Sequence, residues 1–500
     1  MLDNMKRLYD TTWRRYERCL VLFFHSGLIL LCCLSLWLFV SPIQAHELPD
    51  LGNSASAVIN AEQEYALGRS VMKELRAASL ISQDMILNEY LQGLGYRLIA
   101  PQGQQQGHFQ FFAIEDRTIN AFALPGGFIG VHTGLILSTE SEGELAGVIA
   151  HEVAHVQQRH IARMVEHMGR VRLSTIAGLI ASALIATQSP QAGNGVMAAT
   201  LAGSQQAMIN FTRDHEKEAD SHGIQSLMQA GFDPMGMPAF FHRMYQDTRF
   251  HGSQMPEYLM THPLTENRLI AAQTRAHSFP YKQIPDGLQY HLVQARVQVH
   301  SFTTAQEAES HFAKKLERGN YRSQIGTIYG YALALLGAGK PERAKAYLDL
   351  LVESDPNQAL FQLAYAQYEI ETHQGHAALS RLSTALQNHP KHFPLTFTYC
   401  ETLLKMGQAE KAIPVLKQQL LRKPPRPIFW HLLSAANAAS QHPVQAHLAQ
   451  AQYLKLQGDF NNALVQLRLA NKLSPISGQE KNQIEAEMRD LQSKQSKLKS

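Results

Sequence analysis

The pentapeptide His151-Glu152-Val153-Ala154-His155 has the residue types and the spacing of a metal-dependent hydrolytic site. Residues four apart lie on one face of a helix, one turn apart, so His151 and His155 can bind the same metal ion. Two imidazoles suit zinc, and the intervening Glu152 can polarise a metal-bound water. The pattern therefore predicts two ligands and a general base. Two incidental histidines on a surface helix would produce the same letters.

A catalytic zinc usually takes three protein ligands and leaves one position open. The candidate third ligand lies in the acidic segment 214–220, where Glu216 and Asp220 share one helical face with Ile224. Two carboxylates on a buried face are costly unless they are paired or bind a metal. We therefore predict Glu216 as the third ligand and Asp220 as the partner that orients a ligating histidine. Glu218 is expected to point away as a solvated charge.

The motif is predicted to lie inside a helix that begins near Ser141. Thr139 and Ser141 are each followed three residues later by a glutamate, which is the capping-box pattern. Apolar residues then recur at helical spacing, at Leu145, Val148, Ile149, Val156 and Ile161. The motif starts about two turns into this helix, where it can be buried without fraying.

These motifs together resemble a family of zinc metalloproteases that contains the CAAX prenyl proteases and HtpX. Residues 120–134, which read NAFALPGGFIGVHTG, are similar to the strand and turn that precede the motif helix in this family. Residues 261–264, Thr-His-Pro-Leu, are followed by Glu266 and Arg268 and resemble a stretch of its BepA-type members. The resemblance covers roughly residues 55–300.

The resemblance implies peptide hydrolysis at one zinc ion per chain, held by His151, His155 and Glu216. Zinc lowers the pKa of its bound water and polarises the scissile carbonyl. Glu152 would take the proton of that water and later deliver it to the leaving amine.

Three further roles are expected, the first of them from the same resemblance, and each has a plainer alternative. His262 occupies the fourth zinc position in a resting, self-inhibited form, or it is a loop histidine before a proline. Arg268 stabilises the tetrahedral oxyanion, or it forms a structural ion pair. The strand at 128–131 pairs with an extended substrate, or the nearby Pro125 and glycines simply mark a hairpin.

The amino terminus has the pattern of a secretory signal peptide. Five basic residues precede an apolar run at 19–40, and the segment ends in the small residue Ala45. Cleavage after Ala45 would deliver a mature chain with a net charge near +1 and with Cys400 as its one cysteine, a buried helix residue without a disulfide partner. We therefore predict a periplasmic protein with no affinity for nucleic acid. The apolar run is also long enough for an uncleaved membrane anchor.

An apolar stretch at 173–186, a turn-rich segment and a second small-residue stretch to Ile209 separate the two metal-binding segments. Because 14 residues are too few to span a bilayer, which needs about 20, this region predicts a helical hairpin. It is either a core element or a lid at the membrane surface that controls access to the site.

The second half of the chain contains a 34-residue repeat. Ala344, Ala378 and Ala412 are spaced by 34, and prolines follow each of them after 12 residues, at Pro356, Pro390 and Pro424. This is the tetratricopeptide period, whose stacked helix pairs form a solenoid with a binding groove. Ala463 and Pro475 come 51 residues after their predecessors, so one extra helix is expected between Pro424 and Leu456. Residues 480–500 are polar and are expected to fray.

The predicted fold is therefore α+β and mostly helical, with an HExxH zinc metalloprotease domain followed by an all-α tetratricopeptide solenoid. The expected boundaries are 1–45 for the signal peptide, 46–300 for the protease domain, 301–490 for the repeats and 491–500 for a polar tail. Resemblance to BepA-type members implies quality control of outer-membrane β-barrel precursors, with the barrel-assembly machinery as partner of the repeats. The alternatives are a chaperone-like binding protein with a dispensable protease site and an anchored protease of the HtpX kind.

Overall fold

The computed structural model describes residues 59–103, 108–168, 173–186, 205–250, 256–280, 284–422, 426–473 and 478–499. The predicted signal peptide and its cleavage site lie outside these residues. No helix in these ranges is long and apolar enough to cross a membrane.

The only sheet of the described residues has three strands, β1 (Gln110–Ile114), β2 (Ala121–Leu124) and β3 (Phe128–His132). Its order is β1-β3-β2, with β3 parallel to β1 and antiparallel to β2. The proposal that residues 128–131 pair with a substrate is therefore wrong. Both edges of β3 already carry ladder hydrogen bonds, so it has no free backbone groups to offer a further strand.

Eleven α-helices of the described residues belong, with this sheet, to the amino-terminal half of the chain. The helices are α1 (Ala61–Ala77), α2 (Met85–Ile99), α3 (Thr133–Ser138), α4 (Glu142–Gln157), α5 (His160–Met168), α6 (Leu173–Ala186), α7 (Gln205–Gln229), α8 (Gly236–Phe250), α9 (Glu257–Thr261), α10 (Glu266–His277) and α11 (Leu288–Ser301).

Helix α4, which carries the pentapeptide, begins as predicted. Ser141 is its N-cap, and the Ser141 hydroxyl accepts a hydrogen bond from the Glu144 backbone N–H. The helix is buried on most of its circumference, with Leu145, Val148 and Ile149 fully enclosed in the core. A helix buried all round can hold side chains in fixed positions, which a metal site requires.

Helix α6 confirms one arm of the predicted hairpin. It packs against α1, and Ile176, Ala177 and Ala181 join a small apolar cluster there. Residues 187–204 lie outside the described residues, and residues 205–209 belong to α7. The described arm thus behaves as a core element, and the lid hypothesis stays a prediction.

The carboxy-terminal half is helical throughout its described residues, and this confirms the predicted all-α repeat region. Its helices are α12 (Ala305–Glu317), α13 (Gln324–Gly337), α14 (Pro341–Ser354), α15 (Ala359–Glu371), α16 (Gly375–Asn388), α17 (Phe393–Lys405), α18 (Ala409–Leu420), α19 (Pro427–Ala439), α20 (Pro443–Gln457), α21 (Phe460–Lys472) and α22 (Gly478–Lys499).

The repeat alanines are the contact points of the paired helices. Ala344, Ala378 and Ala412 are each 0% exposed, and they lie in α14, α16 and α18 respectively. Ala446, which is also buried, continues the 34-residue spacing in α20. The extra helix predicted between Pro424 and Leu456 is wrong, because α19 and α20 form one ordinary pair and the 34-residue spacing continues through Ala446. Ala463 lies in α21, the first helix of the next pair, so it is not the counterpart of Ala412.

The carboxy-terminal stretch is better ordered than expected. Residues 480–499 belong to α22 instead of fraying, and Ile484 and Leu491 are each 1% exposed. These two residues are seven apart and lie on one face of the helix, against α21. Two apolar residues on one face are enough to dock a helix whose other residues are polar.

The repeat helices pack directly on the protease half. Helix α2 contacts α11 and α17, Arg296 forms a 2.6 Å ion pair with Asp84, and Arg426 pairs with Glu89. Helix α11 gives Val293 to the protease core and Leu292 to the core of the repeats. The expected domain boundary at 300/301 therefore falls at the end of α11, a helix that packs into the cores of both the protease half and the repeats.

Candidate metal centre

Helices α4 and α7 approach closely because glycines line their contact. A Cβ built on Gly223 of α7 would lie 3.1 Å from the backbone nitrogen of His151. Within α4 itself, a Cβ on Gly147 would lie 2.8 Å from the Cα of Met237 in α8. The missing side chains let α7 and α8 clamp the motif helix, and the acidic segment of α7 comes to rest against the two histidines.

The three predicted ligands come together as expected. The Nε2 atoms of His151 and His155 are 3.0 Å apart. The two carboxylate oxygens of Glu216 lie 3.4 Å from His151 Nε2 and 3.3 Å from His155 Nε2. Both Nε2 atoms and the carboxylate therefore converge on one point.

His262 completes this cluster from a different part of the chain. It follows α9 as the C-cap residue and is 9% exposed. Its Nδ1 lies 3.3 Å from His151 Nε2 and 3.0 Å from a Glu216 oxygen. Tyr258 stacks on its ring with a centroid distance of 4.8 Å. The loop position predicted for a fourth ligand thus lies at the metal cluster itself.

The spacing and chemistry of these four groups fit a tetrahedral metal ion. With bonds of about 2.0–2.1 Å, neighbouring ligand atoms in a tetrahedral zinc site lie roughly 3.3 Å apart. The observed separations between these ligand atoms run from 3.0 to 3.4 Å. Three imidazoles and one carboxylate form a donor set typical of such a site. The residues of this chain therefore fit a metal ion.

Asp220 lies against His151, the position that its predicted orienting role requires. One Asp220 oxygen lies 3.0 Å from His151 Nδ1, and Arg268 holds the carboxylate through two hydrogen bonds of 2.8 Å. With a proton on Nδ1, the Nε2 atom keeps the lone pair that a metal requires. Burial alone would lower the pKa of His151, but Asp220 and Glu216 raise it to about 10. His151 must therefore lose a proton before it binds a metal.

Arg268 uses its whole guanidinium group within the protein. Besides the two bonds to Asp220, its remaining nitrogen lies 2.9 Å from Glu216 Oε2 and from the Pro263 carbonyl oxygen. The side chain is 3% exposed. This arrangement favours the structural ion pair over direct contact with a substrate oxyanion.

His155 has an orienting chain that sequence reasoning missed. Its Nδ1 lies 2.8 Å from His160 Nδ1, and His160 Nε2 lies 3.2 Å from a Glu218 oxygen. Glu218 also accepts a 3.0 Å hydrogen bond from Arg163. Glu218 is therefore a paired group and not the solvated charge that was expected. His160 follows His155 by five residues in the sequence, and this spacing alone does not indicate contact on a helix.

Glu152 lies beside the cluster in a position suited to a base. It is 1% exposed, and its Oε1 lies 3.5 Å from His262 Nε2 without a hydrogen-bond partner among the described residues. Ala123 of β2 donates a backbone hydrogen bond to the carboxylate. Burial raises the pKa of Glu152 above its ordinary value. A carboxylate with a raised pKa is a better acceptor for the proton of a water molecule.

Fold and site together define a metalloendopeptidase joined to a tetratricopeptide-repeat solenoid. Residues 86–276 match Peptidase family M48, and residues 370–436 match a tetratricopeptide repeat. The chain is 32% identical to the beta-barrel assembly-enhancing protease of Escherichia coli (strain K12) over 457 residues, which are 91% of this chain and 93% of that protein. The corresponding protease of Yersinia pestis is 33% identical over 417 residues, 83% of this chain and 86% of its own.

A further relative matches a shorter part of the chain. The mitochondrial metalloendopeptidase OMA1 of Schizosaccharomyces pombe is 32% identical over 173 residues, 35% of this chain and 48% of that protein. The chain therefore belongs to Peptidase family M48, and its full-length relatives there are beta-barrel assembly-enhancing proteases. Membership of this family implies a resident metal ion, which agrees with the donor set described above.

Proposed function

We propose that this protein is a zinc endopeptidase of the Gram-negative periplasm that degrades misfolded or stalled outer-membrane β-barrel precursors and so assists barrel assembly. The convergence of His151, His155 and Glu216 beside Glu152 is the observation that carries the proposed chemistry. The names of the full-length relatives support the substrate class, and the signal-peptide pattern of residues 1–45 supports the location.

In the proposed mechanism, His151, His155 and Glu216 would hold zinc, which when bound would supply Lewis-acid activation of a water molecule and of the scissile carbonyl. Glu152 accepts the water proton at its free Oε1 and returns it to the leaving amine. Asp220 keeps His151 in the Nδ1–H tautomer.

Arg268 acts in this scheme as a positioning residue. Its bonds to Asp220 and Glu216 fix both carboxylates relative to His151. A bidentate guanidinium–carboxylate contact is well suited to this task, because it restricts rotation of the carboxylate as well as its position.

The extended substrate is proposed to pair with β2, because β2 is the edge strand nearest the base. In the antiparallel ladder, the His132 backbone N–H donates a hydrogen bond to the Asn120 carbonyl. Because hydrogen-bonded pairs alternate along such a ladder, the backbone N–H and C=O groups of Phe122 and Leu124 also point toward β3. The backbone groups of Ala121 and Ala123 then point away from β3, and the Ala123 N–H points to Glu152. A peptide added along this edge would pass the catalytic carboxylate.

His262 is proposed to keep the enzyme latent, because its Nδ1 takes the position that a catalytic water needs. Replacing His262 with alanine should raise cleavage of an unfolded reporter protein by roughly tenfold or more, if the closed arrangement is populated above about nine-tenths. Hydrolysis rates and self-cleavage of the purified mature protein measure this effect. His277→Ala, an exposed histidine on α10, is the matched control. Loss of activity in His262→Ala would instead make His262 a catalytic or structural residue.

The repeat solenoid is proposed to recognise the precursor and the assembly machinery. A cavity of about 520 Å³ lies between α19, α20 and α21, lined in part by Ala438, Ala446 and His447. Concave surfaces between stacked helix pairs are the usual protein-binding surface of such repeats.

This recognition is tested by filling the cavity. Ala438→Arg should prolong the half-life of a stalled barrel precursor at least threefold in cells, while the purified variant should cleave an unfolded reporter at the wild-type rate. Pulse–chase labelling in a strain that lacks the chromosomal copy measures the half-life. Ala435→Arg, exposed on the same helix but outside the cavity, is the control. A precursor whose half-life is the same with and without the wild-type protein would contradict the proposed function.

A further inference from the structure

A second group of metal-ligating side chains lies outside the catalytic cluster. Asp116, His132 and Glu257 each present one ligand atom, and these atoms lie within 4.8 Å of one another. His132 Nδ1 lies 3.6 Å from an Asp116 oxygen and 2.9 Å from the Thr118 hydroxyl. That hydroxyl donates a 3.2 Å hydrogen bond to Glu257.

Three separate elements build this group, so it does not follow from one acidic run of sequence. Asp116 and Thr118 belong to the loop before β2, where the Asp116 carboxylate accepts a 2.8 Å hydrogen bond from the Thr118 backbone N–H. His132 is the last residue of β3, and Glu257 is the first residue of α9. The Tyr258 N–H donates to the Ile119 carbonyl and holds the start of α9 against the loop.

A buried amide oxygen at the same place has no partner. Asn120 is 2% exposed, and its side chain hydrogen-bonds with Glu257, which puts the amide at the cluster. Its Oδ1 has no hydrogen-bond partner among the described residues. A buried polar atom without a partner costs about 1–3 kcal/mol, so a ligand that satisfied Oδ1 would remove this cost.

Glu257 also lacks a basic partner among the described residues. In the described ranges, no lysine or arginine lies within ion-pair distance of Glu257, and burial raises the pKa of its carboxyl group. Burial likewise lowers the pKa of His132 to about 4 despite the nearby Asp116, so the imidazole is neutral at pH 7. The imidazole of His132 therefore brings no positive charge to Glu257.

We propose that Asp116, His132 and Glu257, with Asn120 Oδ1, form a second divalent-cation site that is distinct from the catalytic centre. One imidazole with carboxylate and amide oxygens suits Zn²⁺ and Mn²⁺, whereas the imidazole disfavours Mg²⁺ and Ca²⁺. Ligand atoms on opposite sides of an octahedral site of about 2.1–2.2 Å bonds lie roughly 4.3 Å apart, which the observed spacing accommodates.

The position of this site connects it to the proposed inhibitory role of His262. Glu257 and His262 lie at the two ends of the five-residue helix α9, and Tyr258 stacks on His262. A cation bound to Glu257 would tie this helix to the sheet and so hold His262 at the catalytic cluster. This consequence rests on the proposed inhibitory function of His262, but the cation site itself does not.

The site is tested by the metal content of the full mature chain after loading with Zn²⁺ or Mn²⁺ and removal of excess ion. The wild type should retain two Zn²⁺ per chain, and Ca²⁺ should not replace the second. The double variant Asp116→Asn, Glu257→Gln should retain one, with its remaining ion lost on Glu216→Gln. Both substitutions preserve side-chain size. Glu266→Gln is the matched control, because Glu266 is likewise the first residue of a helix, is exposed and has no such neighbours.

Each outcome decides between the two sites. A wild-type chain with one ion that disappears in Glu216→Gln would overturn the second site and leave the catalytic proposal intact. One ion that persists in Glu216→Gln but disappears in the double variant would overturn the catalytic ligand set instead. Two ions in every variant would also overturn the proposal, since the cluster would then be only a hydrogen-bond network through Thr118. Should the double variant unfold, His132→Asn is measured in its place. The number of Zn²⁺ ions retained by the wild-type chain is a test that needs no variant.

Discussion

Replacing Glu152 with glutamine is expected to lower peptide hydrolysis by about 10³-fold, because an amide cannot accept the proton of the attacking water. The metal content should not change, since Glu152 is not among the groups that converge as ligands. The fold should also persist, because the amide has the same size and removes a negative charge from a fully buried position. Initial rates on an unfolded reporter, metal analysis and thermal unfolding measure these three quantities.

Glu166→Gln, a half-buried glutamate on the next helix, provides the comparison for this variant. Hydrolysis within about threefold of wild type in Glu152→Gln would remove Glu152 from the reaction. In cells, lost degradation with intact barrel assembly would favour the chaperone-like alternative, in which the repeats act without the protease site.

Replacing Glu216 with glutamine is expected to weaken zinc binding by more than 100-fold, because a neutral amide is a poor ligand beside two imidazoles. Activity should fall in proportion to the lost metal and return in part at high zinc. Equilibrium dialysis against buffered free Zn²⁺ measures the affinity. Asp214→Asn, an exposed carboxylate earlier on α7, is the control.

The same experiment separates Glu216 from its neighbour. Glu218 bonds His160 and Arg163, so Glu218→Gln should reduce affinity less, through His155 alone. Unchanged affinity in Glu216→Gln, together with a large loss in Glu218→Gln, would move the third ligand to Glu218. Thermal unfolding of Glu216→Gln distinguishes a lost ligand from a lost fold, because Arg268 would keep only Asp220 as a charged partner.

Local patterns in the sequence were sufficient to predict those features of this protein that depend on residues close together in the chain. The pentapeptide places its two histidines on one helical face wherever the helix lies, and Ser141 caps that helix through its own side chain. The repeat period also follows from local helix packing, because each helix pair contacts the next pair along the chain. The interval after Ala412 was harder to interpret, since Ala446 keeps the spacing but is followed by glycine where the repeat has proline.

The sequence therefore determined the chemistry of the ligands, the base and the repeat architecture, because those depend on residues within a few turns of one another. Only the tertiary structure decided which strands form the edges of the sheet, since inserting β3 between β1 and β2 is a long-range choice. It also brought His160 to His155, and Glu257 to His132 across more than 120 residues of chain. Contacts of this kind follow from the packing of whole helices and strands, so the spacing of residues in the sequence does not predict them.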